Sequence, residues 1–228
     1  MARKTETVQL PLALGHDPVA DREHLLVSAS IAPAVDLVDR WPDWRAPVVV
    51  LVGPPGSGKS HLAAIWKGVS QARDVTDNLR NGRPVPYRQG AFLFEDADRA
   101  GLDETALFHL INTVRQNGGS LLITARDLPG LWPVTLADLR SRLQAATVVE
   151  IGAPDDQLLE QVIFKLFADR QLEVDHRVVS YLVSRMERSL DSACQIVDEI
   201  DRLALSRGRR ITRALAAEVL ARRENATV

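Results

Sequence analysis

The chain has 228 residues, of which 46% are hydrophobic and 25% are charged, and its formal net charge is −2. These values are ordinary for a globular protein of one or two domains, and the charge argues against nucleic-acid binding through bulk electrostatics. No apolar run approaches the roughly 20 residues that span a bilayer, and the polar residues near the N-terminus argue against a signal peptide. The single cysteine, Cys194, excludes an internal disulfide, so we expect a soluble protein of the cytoplasm.

A short apolar segment, TETVQLPLALG, stands near the start of the chain. Its proline and its final glycine disfavour a helix, and the segment has too little neighbouring sequence to build a core of its own. It therefore either folds back onto the main body of the protein or is bound by another molecule. The residues in question are Gln9, Leu10, Leu12 and Leu14.

The strongest signal follows an apolar, β-branched run at residues 48–52, which is typical of a buried parallel strand. The next eight residues, GPPGSGKS, fit G-x-x-x-x-G-K-[ST] at every fixed position, and HLAAIW continues as a helix. Such a loop turns backbone N–H groups toward phosphate oxygens, while Lys59 reaches the β- and γ-phosphates and the Ser60 hydroxyl ligates Mg²⁺. The predicted nucleotide contacts are Gly53, Pro54, Pro55, Gly56, Ser57, Gly58, Lys59, Ser60 and His61.

A second apolar strand, residues 91–94, runs directly into the acids Glu95, Asp96 and Asp98. A strand entering a polar turn would look the same, but the phosphate loop upstream favours a Walker B role. We expect Glu95 to hold the metal together with Ser60, and Asp96 to stand where a catalytic acid would stand. The longer side chain comes first and the shorter second, the reverse of the usual order, so we expect weak hydrolysis.

The middle of the chain alternates helices with strands. Residues 103–118 read as a helix with Asp103 as its N-cap and Gly118 as its stop, and strands follow at SLLITAR and at residues 147–151. This alternation predicts an α/β fold with a parallel, doubly wound sheet and ligands at the carboxyl ends of its strands. Thr124 lies at such an end, where it either senses the γ-phosphate or simply closes its strand.

From Pro154 onward the pattern is helical, with apolar residues repeating on one face of each segment. We expect a tail at residues 1–20, a nucleotide-binding domain at 21–152 and a small helical domain at 153–228. The arginines of SRGRRITR could touch phosphates, but a solvated turn between helices is the interpretation we favour. The five histidines show no ligand spacing, so no zinc site is indicated.

A phosphate-loop domain followed by a helical lid is the organisation of AAA+ ATPases. The chain resembles the replication initiator DnaA and, more closely, the shorter DnaA homologues of the Hda family. The segments that carry the resemblance occur in the family's order: LVGPPGSGKSHLA, FLFEDAD, LLITAR, DLRSRL and the helical lid. The resemblance covers nearly the whole chain and implies ADP or ATP and Mg²⁺ as cofactors. DnaA continues into a DNA-binding domain that has no counterpart here, so we expect no direct sequence-specific DNA binding.

The Hda resemblance also implies partners. In that family a Q-L-x-L-x-L peptide docks on the β subunit of the DNA polymerase III sliding clamp, and Gln9, Leu10, Leu12 and Leu14 match it position by position. Arg142 of DLRSRL aligns with the arginine finger that completes a neighbour's nucleotide site, here that of ATP-bound DnaA. The expected function is therefore negative regulation of replication initiation. Self-association stays open.

Two other functions stay open at this stage. One is an ATP-driven helicase or clamp-loader type of AAA+ ATPase acting on DNA, and the other is a DnaA-binding regulator that does not use the clamp. One departure from the family affects the site itself: Asp191 aligns with a lid arginine that contacts the nucleotide phosphates, and Arg188 is out of register. Together with the Glu95–Asp96 order, this predicts weak intrinsic ATPase activity, with ADP acting mainly as a structural ligand.

Overall fold

The computed structural model describes residues 22, 25–85 and 89–226 of the chain. The predicted clamp-binding residues Gln9, Leu10, Leu12 and Leu14 lie outside this range. Within it, the chain forms two compact units, residues 22–155 and residues 156–226. No helix in the described part of the chain is both long enough and apolar enough to cross a bilayer.

The first unit is built on a parallel sheet, which confirms the predicted α/β fold. Its strands, in the spatial order β2–β3–β4–β1–β5, are β1 (Val48–Val52), β2 (Arg73–Asp74), β3 (Ala91–Phe94), β4 (Ser120–Ala125) and β5 (Thr147–Glu150). The central strand β1 pairs with β4 on one side and β5 on the other, so that Val50 lies opposite Ile123 and Val148. This is the point of the sheet where doubly wound folds bind ligands.

Helices cover the sheet, and all five residues of β1 are buried as a result. The first unit contains α1 (Ala32–Asp39), α2 (Lys59–Ser70), α3 (Thr76–Arg80), α4 (Glu104–Gln116), a 3-10 helix (Pro129–Leu131) and α5 (Ala137–Gln144). Val48, Val50 and Val52 face a core that also contains the apolar residues of α4 and α5. Strand alternation sends Val49 and Leu51 to the opposite face.

The predicted ends of α4 are confirmed. The Asp103 carboxylate accepts a hydrogen bond from the Ala106 backbone N–H, 2.9 Å away, which satisfies one of the unpaired donors at the start of the helix. The helix ends at Gln116, and Gly118 follows with φ of +68°, a conformation that side chains with a Cβ rarely adopt.

Residues 156–226 form four helices: α6 (Asp156–Asp169), α7 (His176–Val183), α8 (Leu190–Arg207) and α9 (Arg213–Ala226). Their apolar faces pack on one another in a core that includes Phe167, Val179, Ile196 and Val219. The helical bundle expected from the amphipathic pattern is thus confirmed.

Candidate nucleotide-binding site

The phosphate loop joins the central strand β1 to helix α2. Gly56 and Gly58 adopt φ of +67° and +96°, and a Cβ on Gly53 would lie 2.4 Å from the Ile151 carbonyl oxygen. Glycine is therefore required sterically at all three positions. Among the described residues, no side chain caps α2 at Gly58, and the first turn of the helix contains no acid. The positive end of the helix thus remains available to an anion.

Lys59 is folded into this loop, with only 6% of its surface exposed. Its Nζ donates hydrogen bonds to the carbonyl oxygens of Gly53 at 2.7 Å and Pro54 at 2.8 Å. The Ser57 hydroxyl is buried beside it and has no hydrogen-bond partner within the described residues. Residues 53–61 are therefore brought together around a buried ammonium group and an unused hydroxyl, which suits a phosphate group.

Ser60 connects the phosphate loop to the acids at the end of β3. Its side chain lies close enough to the Glu95 carboxylate to affect the pKa of that group, and the Glu95 Oε1 atom is buried without a partner in the described part of the chain. Burial raises the pKa of Glu95, the Ser60 side chain opposes that rise, and the carboxylates of Asp74 and Asp96 add to it. A hydroxyl and a carboxylate oxygen with spare capacity fit Mg²⁺, which prefers oxygen ligands and would relieve the buried charge.

Asp96 is held differently from Glu95. Its φ is +52°, and its carboxylate forms an ion pair with Arg99 at 3.1 Å. Its backbone N–H donates to Oγ1 of Thr124, a fully buried residue on the adjacent strand β4, at 3.0 Å. The structure thus places Thr124 beside the Walker B turn, as the sequence predicted; its role as a phosphate sensor stays a prediction.

Two residues that the sequence did not indicate hold the Glu95–Asp96 turn from α3. The Glu95 backbone N–H donates to Thr76 Oγ1 at 3.0 Å, and Arg80 Nη2 donates to the carbonyl oxygens of Glu95 and Asp96 at 3.0 and 3.1 Å. With Thr124, they satisfy all four backbone polar groups of the two acids. Nothing in the local sequence of α3 marks these contacts, because they depend on its packing beside β3.

Asp98, the third acid, has a supporting role. Its Oδ2 atom accepts hydrogen bonds from the backbone N–H groups of Arg126 at 2.8 Å and Asp127 at 3.1 Å, directly after β4. It thereby joins the ends of β3 and β4, the two strands that carry Glu95 and Thr124.

Arg142 lies on α5, which packs on α4 and on the 3-10 helix. Leu139 and Leu143 bury one side of α5, and the half-exposed Arg142 guanidinium forms no hydrogen bond or ion pair with any described residue. Its neighbour Arg140 instead donates to the Val134 carbonyl oxygen. The start of α5 is fixed by Glu104, whose carboxylate accepts from the backbone N–H groups of Thr135 at 3.0 Å and Leu136 at 2.7 Å.

The helical unit places Asp191 in the first turn of α8, where its carboxylate is exposed and favourable for the helix dipole. The N-cap is Ser189, whose hydroxyl accepts from the Ser192 N–H. Arg188 precedes the helix and pairs with Asp156 at 3.0 Å.

Comparisons with known proteins agree with this fold. Residues 157–220 match the family described as Hda, lid domain. An uncharacterised protein of Haemophilus influenzae is 22% identical over 93% of this chain and 98% of its own length. The DnaA of Sphingopyxis alaskensis is 32% identical over 92% of this chain and 53% of its own length, so the chain spans about half of that relative.

The fold is also that of a known DnaA domain. The crystal structure of domain III of the Thermotoga maritima DnaA superimposes with a TM-score of 0.74, at 18% identity, over 90% of this chain and 97% of that domain. The chain is therefore similar to DnaA-related AAA+ proteins over most of its length, and residues 157–220 match the Hda lid domain.

Proposed function

We propose that this protein binds ADP or ATP and negatively regulates replication initiation by stimulating hydrolysis of the ATP held by DnaA. The observation that carries the proposal is the contrast between Arg140, which is committed to the Val134 carbonyl, and Arg142, which has no partner among the described residues. A guanidinium that the described residues leave unpaired, on a helix of which only Leu139 and Leu143 are buried, is available to a neighbouring molecule.

The nucleotide would lie along residues 53–61. The backbone N–H groups of this loop and the start of α2 would cradle the phosphates, and Lys59 would exchange its two carbonyl contacts for phosphate oxygens. Ser60 and Glu95 would hold Mg²⁺, which neutralises charge on the phosphates.

Arg142 would act on the partner's nucleotide rather than on its own. An arginine finger stabilises the charge that develops on the transferred phosphoryl group and raises the rate by about 10³–10⁵-fold. Intrinsic hydrolysis would be slow, because the Asp96 carboxylate is paired with Arg99 and so is a weak candidate for orienting water.

The N-terminal peptide would hold the protein on the sliding clamp. Each leucine placed in a clamp pocket contributes about 2 kcal/mol, whereas ordering the tail costs about 1–2 kcal/mol per residue. Docking is therefore weak for one peptide, and a clamp with equivalent pockets strengthens it through avidity. The residues proposed for this contact are Gln9, Leu10, Leu12 and Leu14.

The test is a single-turnover assay of ATP bound to purified DnaA, with clamp loaded on DNA. We expect the wild type to accelerate hydrolysis and a Gln9→Ala, Leu10→Ala, Leu12→Ala variant to lose both clamp binding and acceleration. Acceleration by the variant without clamp binding would indicate a clamp-independent regulator. Rapid hydrolysis by this protein alone on DNA would contradict the proposal and favour an ATP-driven motor or loader.

A further inference from the structure

The arginines of the helical unit differ in how they are paired. Some form ion pairs with carboxylates: Arg170 with Asp198 and Asp201, Arg188 with Asp156, and Arg207 and Arg222 with Glu218. Others are exposed and form no ion pair with any residue that the structure describes. Four of these lie near the turn between α7 and α8 or the turn between α8 and α9. We call them the lid arginines; they are Arg185, Arg209, Arg210 and Arg213.

Two of the lid arginines stack on one aromatic ring. The guanidinium carbons of Arg185 and Arg213 lie 4.2 and 4.6 Å from the centroid of the Tyr181 ring. Arg185 follows the end of α7, Arg213 begins α9, and Arg209 and Arg210 occupy the turn that leads into α9. Arg185 and Arg213 therefore meet at one aromatic ring from separate parts of the chain, which the sequence pattern alone did not indicate, and Arg209 and Arg210 are exposed in the turn just before Arg213.

This arrangement is electrostatically unbalanced. Each guanidinium is attracted to the electron-rich face of the Tyr181 ring, but the two cations on that ring repel each other. The acid nearest in sequence, Glu187, forms no ion pair with them in the described part of the chain, and the Glu218 carboxylate on α9 is already shared by Arg207 and Arg222. Apart from Ser184, whose hydroxyl accepts from Arg185 Nη1 at 2.9 Å, the guanidiniums have N–H groups to spare.

We propose that the lid arginines form a sequence-independent binding surface for the phosphodiester backbone of a nucleic acid. Guanidinium forks match phosphate oxygens in pairs, and stacking on Tyr181 holds two of the forks in place beforehand. The surface carries nothing that reads bases, so the contact positions the protein without selecting a sequence.

An acidic protein is the less suitable partner. Interfaces between proteins contain an apolar core, whereas interfaces with nucleic acids are more polar and more positively charged. Among the described residues of the helical unit, Leu205 is the only large hydrophobic side chain that is exposed. A unit whose described residues expose a single large hydrophobic side chain and several arginines without ion pairs fits a phosphate backbone better than a protein surface.

The test is a fluorescence anisotropy titration of a labelled, mixed-sequence oligonucleotide with the full-length protein at about 50 mM salt. Single-stranded and duplex forms are titrated separately, with and without saturating ADP, so that binding through the phosphate loop is distinguished from binding through the lid. The variants are Arg185→Gln with Arg213→Gln, and Arg209→Gln with Arg210→Gln. The second pair lies in an exposed turn and leaves the bundle core untouched. The matched control is Arg188→Gln with Arg222→Gln, which removes the same charge from paired positions.

We expect each variant pair to weaken binding by about tenfold and to flatten the salt dependence. On a single strand, the slope of log K against log salt should change by about 0.7 for each phosphate that the variant no longer binds. The control should stay within about twofold of the wild type. The proposal is overturned if the wild type does not bind either form, if the control loses as much affinity as the variants, or if polyglutamate displaces the oligonucleotide as well as unlabelled oligonucleotide does.

Discussion

Glu95 is the residue at which the phosphate loop comes near the end of β3, because the Ser60 side chain is close enough to lower the pKa of the Glu95 carboxyl. The reversed order of the two acids has a visible consequence there. The longer side chain, Glu95, has a buried Oε1 atom with no partner among the described residues, and the shorter one, Asp96, is paired with Arg99 at 3.1 Å. The two carboxylates thus have different environments and, we infer, different roles.

The raised pKa of Glu95 gives a pH prediction. A cation binds the ionised carboxylate, so the Mg²⁺-dependent part of ADP affinity should fall on acidification, beginning above the ordinary range for glutamate. At pH 8, Glu95→Gln should bind ADP about tenfold more weakly than the wild type in the presence of Mg²⁺. The Mg²⁺-dependent part of its ADP affinity should not change with pH. Titrations of a fluorescent ADP with and without Mg²⁺ between about pH 5.5 and 8 measure this. Identical pH profiles for the wild type and the variant would rule out this role for Glu95.

The raised pKa of Glu95 should have the opposite pH effect on the stability of the metal-free protein. Because the folded state binds this proton more tightly than the unfolded state does, the stabilisation is present at low pH and is lost as the pH rises through the folded pKa. Metal-free Glu95→Gln should therefore unfold at a higher temperature than the wild type at pH 8, and Mg²⁺ with ADP should reverse that order. A variant that is less stable than the wild type in the absence of metal would count against the assignment.

The order of the acids can also be exchanged. If the reversed order limits hydrolysis, Glu95→Asp combined with Asp96→Glu should raise intrinsic ATP turnover by about tenfold, while leaving ADP affinity within about twofold of the wild type. Phosphate release under single-turnover conditions measures this. Unchanged or slower turnover with intact nucleotide binding would show that the order of the acids is not what limits hydrolysis.

At the scale of elements, α3 holds the Glu95–Asp96 turn that follows β3. The hydroxyl of Thr76 and the guanidinium of Arg80 bind three of the four backbone polar groups of Glu95 and Asp96, and Asp96 is kept at a positive φ. These three contacts lie beyond the end of the β3 ladder. The Asp96 carbonyl oxygen also accepts from the Arg99 backbone N–H at 3.1 Å, so the N–H and carbonyl of Glu95 are the groups that depend most on α3. The geometry of the acids thus depends on a five-residue helix outside the motif.

Arg80→Met should release this turn. We expect faster amide hydrogen exchange in the peptide that covers residues 91–98 of the nucleotide-free protein, with exchange in β1 unchanged, since an unpaired backbone group opens more readily. Arg80→Lys should restore part of the protection because an ammonium also donates to carbonyl oxygens. Arg83→Met, an exposed site nearby, is the control. Equal exchange in Arg80→Met and wild type would remove Arg80 from its positioning role.

The sequence predicts those elements whose pattern is local. Strand β1, the phosphate loop and the start of α2 form one continuous stretch of sequence. The Asp103 cap is also local, because its carboxylate binds the backbone N–H of Ala106, only three residues further along. Strand β2 is not predicted, since it consists of two exposed polar residues, Arg73 and Asp74, that become a strand only by pairing with β3. Thr76 and Arg80 escape prediction for the same reason: their function appears only when α3 packs beside β3.

For the whole molecule, the sequence predicts the alternation of strands and helices but not the order of the strands in space. Strand order depends on pairing between distant segments, such as β1 with β5, that periodicity does not report. The lid arginines are a second case. The motif SRGRRITR favours a solvated turn, whereas Arg185 and Arg213 meet at Tyr181 only after α7 and α9 have packed together.

Nucleotide binding should stabilise the folded protein. A ligand at about 100 times its Kd adds about 2.7 kcal/mol, which raises Tm by roughly 5–10 °C for a protein of this size. Lys59→Ala should abolish most of this shift with ADP, because Lys59 is buried within the loop that receives the phosphates. Thermal unfolding with increasing ADP measures it. A full shift in the variant would show that the nucleotide binds elsewhere.

The proposed action of Arg142 on the ATP of a neighbouring DnaA is tested most directly by a single-turnover assay of DnaA-bound ATP with clamp-loaded DNA. Arg142→Ala should reduce the stimulated rate by about 10³-fold or more, and Arg142→Lys should not restore it, because an ammonium lacks the planar fork. Clamp binding, ADP binding and Tm should stay those of the wild type, and Arg115→Ala, an exposed site on α4, should behave as wild type. An Arg142→Ala protein that binds clamp and ADP and still stimulates hydrolysis at the wild-type rate would contradict the proposal.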